Sequence, residues 1–237
     1  MNQQNMTLSE EDRLSCADTN RGIAFESADL DGIIFDVDGT LWDSTEQAAQ
    51  VWTRAVREHT GLDTRVSADR LKELFGKTMT EISNALFPTL SNEEQERIME
   101  ACYDYENEYL ETHPGVLYEG VVETFHALAE KTNLYIVSNC QCGYIELFLR
   151  AAGLEDSVRD HLCFGETSVS KGQTIRMLME KNRLEHVVYV GDTQGDADAC
   201  REAGIPFILA EYGFGDVPDA RRRIRKISEL CEILKSF

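Results

Sequence analysis

Short apolar runs recur along the chain, each closed by turn residues: Ile33–Phe35, Leu134–Val137, Leu162–Phe164, Val187–Val190 and Pro206–Leu209. They are nearly continuous in apolar character and rich in β-branched residues. That is the pattern of strands covered on both faces in a parallel sheet. Between the later runs the period changes to that of a helix, over Val121–Lys131, Tyr144–Ala152, Gly172–Lys181 and Asp196–Ala203. Gly153 and Gly204 stand where helix ends accept a positive φ. Strand alternating with helix predicts an α/β fold: a Rossmann-like parallel sheet with right-handed crossovers.

The alternation breaks after the first run. About ninety residues of helical pattern follow, with no convincing strand. Ala48, Val51, Trp52, Ala55 and Val56 form one apolar stripe. Ile98, Cys102, Tyr105 and Tyr109 form another, preceded by a capping box of Ser91 and Glu94. Ala68–Phe75 and Thr78–Leu86 fit two shorter helices. An insertion just past a strand's carboxyl end sits above the crevice where open α/β sheets bind ligands, so residues 44–113 are expected to form a helical cap. The core is then 29–43 with 114–237. Residues 1–28 lack periodicity and are expected to be a flexible arm, with one short helix starting at Ser9.

With 237 residues, 42% hydrophobic and 28% charged, the chain has room for one large domain carrying such a module. The formal charge of −20 argues against a nucleic-acid backbone or an anionic membrane as partner, since both would be repelled. An anionic substrate would be repelled as well, unless a metal ion and a few placed cations reverse the local field. No apolar run approaches the roughly 20 residues that span a bilayer, and the first thirty residues carry no signal pattern. The seven cysteines are odd in number and scattered. Reduced thiols and a cytoplasmic location are expected. Cys140 and Cys142 are the one close pair, and no neighbouring ligands complete a zinc site.

The chemistry is concentrated at strand ends. Asp36-Val37-Asp38-Gly39-Thr40 follows the first apolar run directly. Carboxylates two apart at a strand end point the same way, where they share a proton or hold a cation. Gly39 permits a tight turn, and Thr40 offers a hydroxyl and an N–H to an anion. One acid can then attack while the other moves a proton. A calcium loop is excluded, because its sixth and twelfth positions would be Leu41 and Gln47 instead of Gly and Glu.

Gly191-Asp192-Thr193-Gln194-Gly195-Asp196 ends a second run. In a parallel sheet these strand ends share one edge, which brings Asp192 toward Asp36 and Asp38. Three or four oxygens there suit magnesium. Ser138-Asn139 ends a third strand, where a hydroxyl, an amide and backbone N–H groups can hold phosphate oxygens. Lys171 precedes a helix at the same edge and would balance the anions.

In order, spacing and context these four pieces, over residues 31–235, resemble the haloacid dehalogenase superfamily, and its phosphoglycolate phosphatase-like branch in particular. The resemblance implies Asp36 as nucleophile, Asp38 as acid/base and an aspartyl-phosphate intermediate. It implies magnesium bound by Asp36, the Asp38 backbone carbonyl and Asp192, with Asp196 supporting from behind. Thr40, Ser138, Asn139 and Lys171 would hold phosphate, and the substrate would be a small phosphorylated metabolite. Cys140-Gln141-Cys142 stands where relatives commonly carry a Lys.

Gly76-Lys77-Thr78 is no phosphate loop, because the earlier glycine is replaced by Leu71. Lys77 is nevertheless expected to reach down toward the substrate. His113 is expected in the hinge from cap to core, the other histidines on helices or loops, and Arg221-Arg222-Arg223 on a solvated helix face. The leading expectation is hydrolysis of a small phosphate monoester. The alternatives are a sugar phosphomutase, a phosphonoacetaldehyde hydrolase using Lys72 or Lys77 as a Schiff base, and a scaffold without catalysis.

Overall fold

A computed structural model describes residues 30–61 and 63–233. The arm expected over 1–28, with its helix from Ser9, lies outside the described residues. The strands are β1 Gly32–Phe35, β2 Trp42–Asp43, β3 Val116–Leu117, β4 Asn133–Ser138, β5 Val158–Cys163, β6 Val187–Gly191, β7 Phe207–Ala210 and β8 Arg223–Ile224. Six of them form one sheet in the order β5-β4-β1-β6-β7-β8, with every pairing parallel. Phe35 pairs with Ile136 on one side and Val190 on the other. That register delivers Asp36, Ser138 and Asp192 to one edge of the sheet.

Helices cover both faces. Between strands run α1 Thr45–Thr60, α2 Ala68–Lys72, α3 Met79–Leu86, α4 Asn92–Leu110, α5 Val121–Ala129, α6 Tyr144–Ala152, α7 Phe164–Thr167, α8 Lys171–Asn182 and α9 Gln194–Ala203, and α10 Leu230–Ile233 follows the last strand. Strand side chains alternate between faces. Ile33 and Phe35 join Phe125 and Phe148 of α5 and α6, whereas Ile34 joins Ile175, Leu178 and Cys200 of α8 and α9. With both faces buried, the strands read as unbroken apolar runs.

The helices α1–α4 gather around a cluster of their own, with Trp52, Val56, Leu71, Ile82, Ile98 and Cys102 inside it. The α1 stripe is buried as its spacing predicts. The capping box is present too: Ser91 N donates to Glu94 Oε2 at 2.9 Å, and Glu94 N donates to Ser91 Oγ at 3.4 Å. The α4 stripe needs correction. Its buried phase runs Ile98, Cys102, Glu106, Leu110, while Tyr105 and Tyr109 are half-buried at its flank.

Four further expectations are corrected. The helical stretch is bracketed by strand, since β2 and β3 pair antiparallel through Trp42 with Leu117 and Asp43 with Val116. Two-residue strands leave no period to read. β5 begins at Val158 and ends at Cys163, and Phe164 opens α7, because Arg159, Asp160 and His161 interrupt the apolar run on an edge strand. His161 therefore lies on a strand. Arg221–Arg223 is not helical: Arg223 starts β8 and bonds Glu211 at 2.7 Å. Among the described residues, no helix is long and apolar enough to cross a membrane.

Candidate active site

The edge of the sheet is acidic and buried. Asp36 follows β1 and is 1% exposed. Its Oδ2 lies 3.1 Å from Lys171 Nζ, while Oδ1 is buried without a hydrogen-bond partner. Lys171 opens α8 and also reaches Asp196 Oδ1, at 2.6 Å. Burial opposes the charge of Lys171, but Asp196 and Asp36 outweigh it and raise its pKa. Burial pushes Asp36 up to about 6, with Lys171 opposing and the Asp196 charge adding.

Asp38 is caged. Its Oδ1 accepts from Tyr144 Oη at 2.6 Å, Ser44 Oγ at 3.0 Å and Trp42 Nε1 at 3.2 Å. Among the described residues Oδ2 accepts none. Burial pushes the carboxyl up to about 7 against the Tyr144 hydrogen bond, and the Asp36 charge adds to the rise. A group at that value can give and take a proton near neutrality.

Gly39 turns the chain between these acids and Asp192. Its φ is +78°, and a Cβ there would collide with the Asp192 carboxylate. Asp192 accepts from Thr40 Oγ1 at 3.2 Å and from Phe214 N at 2.7 Å. Asp196 Oδ2 accepts from Thr193 N, Thr193 Oγ1 and Asp192 N at 2.9, 2.7 and 3.2 Å. Asp196 thus braces the loop and Lys171 at once.

Asp36, Asp192 and Asp196 each bring a carboxylate oxygen within 4.8 Å of the others. Burial, with Asp196 and Asp36 nearby, raises the Asp192 pKa well above the carboxylate range. One lysine does not balance these buried acids. An all-oxygen cluster of this kind fits a hard divalent cation. Asp196 fits the supporting role, since both its oxygens are already engaged.

The remaining expected residues divide. Ser138 is buried on the wall of a cavity that Asp36, Asp38 and Lys77 also line. Thr40 Oγ1 is turned to Asp192. Asn139 Nδ2 donates to Gly76 O at 2.9 Å, tying the sheet edge to the α2–α3 loop. Two more ties hold the helical layer down: Lys72 to Asp43 at 2.9 Å, and Asn107 Nδ2 to Cys142 O at 3.1 Å. His113 lies between α4 and β3 as expected, stacked on Tyr109 with ring centroids 4.1 Å apart. The cavity left between the layers is about 30 Å³, room for about two waters.

Residues 33–210 match the family of haloacid dehalogenase-like hydrolases. The chain belongs to that family. It is 24% identical over 192 residues to a phosphoglycolate phosphatase of Rhodobacter capsulatus, covering 78% of this chain and 86% of the relative. It is 26% identical over 223 residues to one of Chromobacterium violaceum, covering 87% and 97%. The fold matches the crystal structure of a predicted phosphoglycolate phosphatase from Haemophilus somnus, with a TM-score of 0.74 and 22% identity, over 86% of this chain and 98% of that one.

In this haloacid dehalogenase-like hydrolase, several residues at the site carried no motif. Tyr144 and Ser44 hold Asp38 from α6 and from the start of α1, and distant single residues give no pattern. Phe214 N reaches Asp192 from the loop after β7, where Gly213-Phe214-Gly215 was a readable sign of close backbone approach. A Cβ at Gly213 would collide with Asp192. Glu106 and Tyr103 line the cavity from α4, and the four-residue step from Cys102 to Glu106 was a signal within reach.

Proposed function

We propose that the chain is a magnesium-dependent phosphatase acting on a small phosphate monoester, of phosphoglycolate or sugar-phosphate type, through an aspartyl-phosphate on Asp36. The observation that carries this reading is the division of labour in Asp36: Oδ2 is fixed by Lys171 and Oδ1 is buried with no partner. An oxygen kept bare in a dry site is ready to attack phosphorus.

Asp36 Oδ1 forms the bond to phosphorus as the bond to the leaving alcohol breaks, and Asp38 Oδ2 protonates that alcohol. Asp38, now ionised, takes a proton from water as the water attacks phosphorus. Phosphate leaves, Asp36 is restored and Asp38 holds its proton again. The cage on Asp38 Oδ1 keeps Oδ2 aimed through both halves. Ser138 and Lys171 flank the phosphoryl group, and Thr40 holds Asp192 in place. Magnesium, held by Asp36, the Asp38 carbonyl and Asp192, would supply neutralising charge for the phosphoryl oxygens.

Residues 44–113 act as a cap in this reading. With room for about two waters beneath it, the cap lifts to admit a substrate and closes to exclude water. Lys77 lines the cavity and would contact the substrate from the cap side. The Schiff-base alternative loses Lys72, whose amine is paired with Asp43 and has its pKa raised by that hydrogen bond. An amine that stays charged is a poor nucleophile.

The test is release of p-nitrophenol from p-nitrophenyl phosphate with magnesium, with and without EDTA. Turnover abolished by EDTA and restored by magnesium is expected. Turnover indifferent to EDTA would exclude the metal-dependent mechanism, and no turnover on any phosphate ester would favour a scaffold.

A further inference from the structure

Three buried side-chain polar atoms among the described residues have no hydrogen-bond partner: Asp36 Oδ1, Tyr103 Oη and His161 Nδ1. Asp36 and Tyr103 line the same cavity, one from the sheet edge and one from α4. Buried polar groups are almost always paired in native proteins. Two orphans lining one cavity, from different elements, point to something that binds there. Asp36 meets the phosphoryl group in the reading above, so Tyr103 is left to meet the leaving group.

The wall around Tyr103 is rigid and specific. Tyr103 stands edge-on to Trp52, with ring centroids 5.9 Å apart at 70°. Trp52 Nε1 donates to Glu106 Oε2 at 2.9 Å. Glu106 is 2% exposed and sits three residues beyond Tyr103, on the same face of α4. Phe75, Met79 and Ile82 add apolar side chains to the lining, with Gln141 among its polar ones.

We propose that this wall reads an uncharged, hydroxyl-bearing leaving group, the alcohol half of a short polyol or sugar phosphate, through Tyr103 Oη and Glu106; the proposal rests on the phosphatase reading and specifies the substrate class of that site. A carboxylate-bearing leaving group would need a counter-charge from this wall. Among the described residues Lys77 is the one cation lining the cavity, and it is an exposed residue. An ammonium-bearing group would need an ionised Glu106, whereas burial, with the Asp38 charge adding, pushes that carboxyl up to about 8. A hydroxyl both donates and accepts, so it pairs with a protonated acid and a phenol alike.

The test measures kcat/KM with magnesium for glycerol 1-phosphate, propyl phosphate, phosphoglycolate and phosphoethanolamine. Wild type, Tyr103→Phe and Glu106→Gln are compared, with p-nitrophenyl phosphate as a general substrate. Wild type is expected to prefer glycerol 1-phosphate over each of the other three alkyl esters by at least about tenfold. Each variant should shrink the glycerol-to-propyl ratio by about tenfold or more. Both substitutions are nearly isosteric. If one variant fails to fold, the other variant and the wild-type ranking still decide. A wild type that ranks phosphoglycolate or phosphoethanolamine first overturns the inference, as does a ratio unchanged in the folded variants. Either result leaves the phosphatase reading standing, provided p-nitrophenyl phosphate is turned over. Absence of phosphate release from every ester overturns both.

Discussion

Lys171 Nζ lies 3.1 Å from Asp36 Oδ2, and both side chains are almost wholly removed from solvent, at 4% and 1% exposure. The same ammonium holds Asp196 at 2.6 Å. One cation thus orients Asp36, the proposed nucleophile, and anchors the loop that carries Asp192. A buried ion pair adds little when intact, but removing one partner strands the other.

Lys171→Met should therefore abolish phosphatase activity and also destabilise the fold, by roughly 3–5 kcal/mol. Thermal unfolding of the metal-free protein reads this directly. A melting temperature lowered by less than about 2 °C would show that Asp36 and Asp196 need no counter-charge.

Asp192→Ala should weaken magnesium binding by tenfold or more, with secondary structure kept. The carboxylate is held in place by Thr40 Oγ1 and Phe214 N beside the bare oxygen of Asp36. Calorimetric titration checks it. Magnesium affinity equal to wild type would take Asp192 off the ligand set.

Glu106 gives a pH signature. Burial moves its carboxyl from the ordinary 4.5 to about 8, so between those values the folded protein holds a proton that the unfolded chain has released. Stability is then greatest below the lower value, falls as pH rises through the window and levels off above the upper one. Glu106→Gln carries no such proton. Denaturant midpoints at the two ends of the window should fall further in wild type than in the variant. Parallel losses would mean that Glu106 ionises normally.

Asn139, expected to hold phosphate, donates its side-chain amide to the backbone of the helical layer at Gly76. Asn139→Ala should speed hydrogen exchange in the 74–78 segment while leaving the sheet strands protected. Unaltered exchange there would show that this hydrogen bond does not hold the segment.

The strand-end acids were legible because burial on both faces writes β1 and β6 as apolar runs, and the first polar residue after each is then conspicuous. Register did the rest, since Phe35 between Ile136 and Val190 places Asp36, Ser138 and Asp192 together. The two-residue strands β2 and β3 were not legible, because an alternation cannot show itself in two positions. Only the carboxyl end of β5, Leu162–Cys163, was legible, because its edge position tolerates Arg159, Asp160 and His161 before it. The cage on Asp38 was hidden for a different reason. Ser44 and Tyr144 are 100 residues apart, and their hydroxyls meet only through tertiary packing. Glu106 was passed over because the stripe was continued from Cys102 to Tyr105, three residues on, whereas the buried position is the fourth.

The central claim is that Asp36 attacks phosphorus, and the kcat of Asp36→Asn on p-nitrophenyl phosphate with magnesium tests it most directly. The amide keeps the shape of the side chain but is not an effective nucleophile. The account predicts a loss of several orders of magnitude in a variant whose circular dichroism matches wild type. A folded variant that keeps more than about a tenth of wild-type kcat would contradict it.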